Sequence, residues 1–145
     1  SEKEETLYDL GKLVNLGYLE HISPERTLVL IGECILSNLL AACSDVVGQK
    51  QAREFLSRAT KKLIAKHPWA GRIRLRNGFH AYCASEETIT PGDLDNIYAA
   101  IQKVNEEVLS QLANEIALDK AKRIYEHARS QCHDRLGRYI EDVVL

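Results

Sequence analysis

The chain has 145 residues, which is enough for one domain whose core needs no staple. Apolar residues make up 45% of it and charged residues 28%, and this excludes a disordered chain. The net charge is only -2, so the overall balance names no partner. Four cysteines, Cys34, Cys43, Cys83 and Cys132, show no CxxC spacing and therefore no zinc or thioredoxin-type signal. Cys34, Cys43 and Cys132 sit in helical patterns beside Leu, Ala and Ile, and read as buried reduced thiols in a cytoplasmic protein. The acidic start (Glu2, Glu4, Glu5) is not a signal peptide. A chain that opens at Ser1 and lacks methionine reads as processed, or as cut from a longer protein.

In chain order, residues 3–19 form a first expected helix with Leu7, Leu10, Val14 and Tyr18 on one face, weakened by Gly11 and Gly17. Ile22-Ser23-Pro24 is then a start signal, because Ser23 caps free N–H groups and Pro24 fits the first helical position. Behind it, Leu28, Ile31, Ile35, Leu39, Ala42 and Val46 step by three and four, and Leu30, Leu36 and Leu40 widen the stripe. This most apolar stretch, 27–47, is interrupted by Glu33, Asn38 and Asp45, so it is expected as a buried central helix and not a membrane span. Gly48 stops it. A third helix over 50–66 carries the stripe Ala52, Phe55, Leu56, Ala59 and Leu63.

Residues 72–83 alternate with period two around Asn77-Gly78, a strong hairpin signal. A two-residue loop pairs Arg76 with Phe79, Leu75 with His80, Arg74 with Ala81 and Ile73 with Tyr82. That register sends Ile73, Leu75, His80 and Tyr82 to one face, and Arg72, Arg74, Arg76 and Phe79 to the other. Thr90-Pro91 with Asp93 is a second start signal, a capping box. Leu94, Ile97, Ile101, Val104, Val108 and Leu112 follow as a near-heptad stripe. Asp119 is expected to cap a last helix with the stripe Ala121, Tyr125, Ala128, Cys132, Leu136, Tyr139 and Val143. The fold expected is thus a mostly α single domain over 1–145. It is a bundle of about five helices: an N-terminal helix plus two helical hairpins, with a short β-hairpin between the halves. The stretches 22–67 and 89–133 read as a possible internal repeat, joined by the basic hairpin at 72–83.

The charges are segregated. From 55 to 85 there is no acidic residue, while Arg58, Lys61, Lys62, Lys66, Arg72, Arg74 and Arg76 fall there with His67 and His80. Arginines on one hairpin face can fork to phosphates or carboxylates, and Phe79 or Trp69 can stack on a base. The candidate binding residues are Arg72, Arg74, Arg76, Phe79, His80, Lys62, Lys66 and Trp69. A solvated or internally salt-bridged face is the plainer reading of the same pattern. No RNP, helix-turn-helix or Walker signature accompanies it.

Other chemistry finds little footing. His127 and His133 carry no phosphotransfer motif and no metal-ligand spacing. No nucleophile motif is present, although Cys83 among arginines is a candidate for a lowered thiol pKa. No cofactor is called for, since His80 on a hairpin is poorly placed as a haem ligand. The expectation is a non-enzymatic regulatory, sensory or protein-interaction module, recognising a protein partner or an anionic ligand through the basic hairpin. One alternative is nucleic-acid binding by the same surface. Another is a sensor that holds a small apolar ligand between helices. A homodimer through residues 139–144 fits any of these, and no membrane partner is expected.

Overall fold

A computed structural model describes residues 24–76, 78–84 and 89–132. Four helices and one hairpin lie among them, against about five helices expected. The expected helix at 3–19, the Ser23 cap, His133 and the stretch 139–144 fall outside the described residues. In chain order the elements are α1 (Pro24–Val47), α2 (Gln49–Leu63), a 3₁₀ turn (Pro68–Arg72), β1 (Ile73–Arg76), β2 (His80–Cys83), α3 (Pro91–Glu115) and α4 (Leu118–Cys132).

Helix α1 is central and packs against α2, α3, α4 and β2. Its 20-residue stretch Leu28–Val47 is long and apolar enough to cross a membrane by composition alone, but more than half of it is buried inside the bundle. The expected stripe is buried along its middle and exposed at its ends. Ile35 and Leu39 are buried with Leu36 and Leu40, which widen the stripe, and with Val29 and Cys43 beside them, whereas Leu28 and Val46 are exposed. Helix α3 approaches closely at Gly32. A Cβ on Gly32 would stand 2.9 Å from Ile101 Cγ2 of α3.

One residue, Gly48, links α1 to α2, and its φ of 92° lets the chain reverse without a longer loop. Helix α2 buries Ala52, Phe55, Leu56 and Ala59, the stripe read from the sequence. Helix α3 opens with the expected capping box. The Thr90 hydroxyl accepts the Asp93 N–H at 3.3 Å, and the Asp93 carboxylate accepts the Thr90 N–H at 2.9 Å. Its stripe from Leu94 to Leu112 is buried within this one chain. Asp119 lies in the first turn of α4 and is not its cap, because that helix already opens at Leu118.

Helix α4 runs antiparallel to α1. Cys34 and Cys132 form a disulfide between them with Cα atoms 6.3 Å apart, and the Asn38 amide donates to the Ala128 carbonyl at 3.2 Å. The bridge corrects the reading of Cys34 and Cys132 as reduced thiols, and it removes that argument for a cytoplasmic location. Cys43 is free and buried, and burial pushes its thiol up to about 12.

Candidate functional site

The hairpin carries the arginines, and its register decides what they meet. Ile73 pairs with Cys83, Leu75 with Ala81, Arg74 with Tyr82 and Arg76 with His80. Three residues therefore separate the paired ends, where a two-residue loop was expected. Gly78 and Phe79 take left-handed backbone, with φ of 78° and 74°. A slip of one residue turns every side chain of β2 over. Ala81 and Cys83 face the bundle, while His80 and Tyr82 join the arginine face. Phe79 leaves that face and is buried, only 7% exposed, with the Arg53 guanidinium 5.5 Å from its ring centroid. The physical reason is desolvation. The expected register presses the His80 ring and the Tyr82 hydroxyl into the core, and the observed one buries a phenyl ring and a methyl group instead.

The outer edge of β2 is closed by α1. The Ala81 N–H donates to the Ser37 hydroxyl at 2.9 Å, and the Ser37 hydroxyl donates to the Glu33 carbonyl at 2.7 Å. One turn earlier the Glu33 carboxylate accepts the Cys83 N–H. Burial beneath the hairpin pushes this carboxyl up to about 7, against the opposing pull of Arg26, the Cys83 hydrogen bond and Arg76. Cys83 is likewise pushed up to about 11, by burial and by the Glu33 charge. Its thiol is therefore protonated at neutral pH, which corrects the expectation of a lowered pKa among arginines.

Among the described residues no strand or helix pairs with the outer edge of β1. The bond from the Ala84 N–H to the Arg72 carbonyl, 2.8 Å, sets the ladder alternation, so Ile73 and Leu75 turn their backbone groups away from β2. The Ile73 N–H is taken by the Ala70 carbonyl, and the Ile73 carbonyl accepts Arg74 Nη1 at 3.1 Å. The N–H and carbonyl of Leu75 point away from β2, and Leu75 lines a groove of ≈ 380 Å³ between β1 and α2. Leu56, Ile73 and Leu75 form its apolar floor, Ser57 and Thr60 supply hydroxyls, and Arg53, Arg74 and Arg76 supply charge. Among the described residues no carboxylate lines this groove.

The arginines are held but not neutralised. Arg76 stacks 4.4 Å from the Tyr82 ring centroid and Arg72 stacks 4.6 Å from that of Trp69. Arg74 donates to the Gly71 carbonyl at 2.6 Å. Among the described residues, no ion pair ties Arg53, Arg72, Arg74 or Arg76 to a carboxylate. Lys62 differs, since its ammonium bonds both Glu107 carboxylate oxygens at 3.0 and 3.1 Å. Lys66 is exposed beyond the end of α2 and does not line the groove, and Trp69 packs against the core beneath Arg72. His80 is half-buried, edge-on to Tyr82 at 6.4 Å between ring centroids.

Of the residues singled out from the sequence, the structure gathers Arg74 and Arg76 into the groove and sets Arg72 and His80 on the adjoining face. It withdraws Phe79 and Lys62. Sequence reasoning missed Arg53, Ser57 and Thr60, whose spacing of four and then three places them along one face of α2. Among the described residues no three His, Cys, Asp or Glu side chains come together as a metal site. The fold and groove define a helical bundle with a β-hairpin whose β1 edge is basic. Comparison with family models, curated proteins and solved structures finds no match.

Proposed function

We propose that this chain is a non-enzymatic protein-interaction module that holds an acidic, extended segment of a partner protein in the groove between α2 and β1. The observation that carries the reading is the convergence of Arg53, Arg74 and Arg76 on a groove that no carboxylate lines among the described residues, beside the backbone edge of Leu75 turned away from β2. An extended segment adds to such an edge by pairing its own amide and carbonyl with those of Leu75. Its alternate side chains then meet the apolar floor, and carboxylates at the remaining positions meet the guanidiniums. The stacking of Arg76 on Tyr82 fixes that side chain in advance, which lowers the ordering cost of binding. Nucleic-acid binding fits less well. Trp69 and Tyr82 each already have a face covered by an arginine of this chain, and Phe79 is buried away from any base.

The test is fluorescence anisotropy with a labelled peptide of alternating Glu and Val. The expected result is saturable binding, weakened by about tenfold or more in the R53S/R74S/R76S variant, since each charge-assisted bond contributes about 1.5–3 kcal/mol. The Tm should hardly move, because the three side chains are exposed. Binding of single-stranded DNA in place of the peptide, lost in the same variant, would transfer the site to nucleic acid.

A further inference from the structure

A second cleft lies on the other side of the bundle, between α1 and α4, with a volume of ≈ 260 Å³. Its apolar wall is made by Ala42, Ile124 and Ala128, and its rim by Lys120, Arg123 and His127. Among the described residues no acidic side chain lines it. The spacing on α4 explains this composition. Lys120, Arg123 and His127 fall three and four residues apart, so their heads share one edge of the helix. Ile124 and Ala128 follow them on the side turned to α1. The long stems of Lys120 and Arg123 add apolar surface beneath their charges.

The wall is fixed in place. Asn38 donates to the Ala128 carbonyl at 3.2 Å and to the Cys132 sulfur at 3.1 Å, and the Cys34–Cys132 bridge ties the two helices one turn further along. Among the described residues neither Lys120 nor Arg123 is paired with a carboxylate. An apolar slot with a cationic rim suits a small amphiphilic anion. We infer that this cleft binds an amphiphilic monoanion, a carboxylate with a short hydrocarbon tail, whose tail lies along Ala42, Ile124 and Ala128 and whose head is met by Arg123 and Lys120. The site is separate from the β1 groove and shares no residue with it.

The test is calorimetric titration of the intact protein with octanoate, and with acetate and octylammonium as controls. Octanoate should bind one to one. Acetate lacks the tail and octylammonium carries the wrong charge, so neither should bind measurably. Arg123→Glu, on an exposed side chain that the fold does not use, should weaken octanoate by about tenfold or more, as expected for a lost charge-assisted bond replaced by repulsion. Ala42→Leu, which fills the half-buried wall, should abolish binding while R74S/R76S leaves it unchanged. Absence of octanoate binding to the unaltered protein overturns the inference. Equal binding of octylammonium, or octanoate affinity indifferent to both Arg123→Glu and Ala42→Leu, overturns it as well.

Discussion

Glu33 shows how much one side chain beneath the hairpin controls. Its carboxyl closes the edge of β2, yet burial moves its pKa from 4.5 to about 7. The folded state then holds a proton that the unfolded chain gives up at lower pH. Stability is therefore full below 4.5 and is lost as pH rises through the window from 4.5 to about 7. At roughly 1.4 kcal/mol for each pH unit, the ionised carboxylate costs the fold about 3 kcal/mol above that window. Glu33→Gln keeps an acceptor for the Cys83 N–H and removes the charge. Urea unfolding should show the variant equal to the parent protein near pH 4 and more stable by about 2–3 kcal/mol near pH 8. A difference independent of pH would mean that Glu33 ionises normally in the fold. The sequence displayed Glu33 only as an interruption of an apolar helix. Its role depends on the β2 register, and that register was hidden because Asn77-Gly78 satisfies the two-residue turn rule on its own. What decides the matter is which ring is buried, Phe79 or His80, and only the assembled core expresses that cost.

At the scale of elements, the start of α3 was legible because capping is local, whereas Asp119 lies inside the first turn of α4. Thr90, Pro91 and Asp93 are neighbours in sequence and partners in space. Less legible was how far the α1 stripe is buried, because Leu28 and Val46 keep its spacing and only the assembled bundle decides where the burial ends. Gly32 marks the contact of α1 with α3. Its missing side chain lets α3 approach closely enough for the buried Asn105 amide to reach the Gly32 carbonyl at 3.4 Å. Gly32→Ala gains about 1 kcal/mol in helix propensity. It also drives a methyl group against Ile101, which is β-branched, 1% exposed and unable to swing aside. Overpacking of this kind costs about 1–3 kcal/mol, so the net effect should be a loss of about 1 kcal/mol and a Tm lower by a few degrees. Ile101→Leu removes the offending Cγ2 and should recover part of the loss in the double variant. A Gly32→Ala protein as stable as its parent would show that the helices have room to separate.

Across the whole molecule, two features span long stretches of chain and differ in how far the sequence shows them. The acid-free window from 55 to 85 is a one-dimensional pattern, so the basic hairpin could be read directly. Arg53 stayed outside it only because Glu54 follows, although of the two only Arg53 lines the β1 groove. The Cys34–Cys132 bridge has no such trace. Its halves are 98 residues apart, each among apolar helical neighbours, and nothing pairs them until α1 and α4 lie antiparallel. That separation makes the bridge consequential. Cross-linking so long a loop removes much freedom from the unfolded chain, and loop entropy alone gives a stabilisation of up to about 4–5 kcal/mol. The C34A/C132A double variant should therefore unfold at markedly lower urea and keep its helical circular dichroism. The parent protein, unfolded without reductant, should react with a thiol reagent at Cys43 and Cys83 only. Reaction at all four cysteines, together with an unchanged urea midpoint in the double variant, would return Cys34 and Cys132 to ordinary buried thiols. In that case Asn38 and the packing of Ala121, Ile124, Ala128 and Cys132 would hold α4 in the bundle, and the α1–α4 cleft would rest on that packing where the disulfide now secures it.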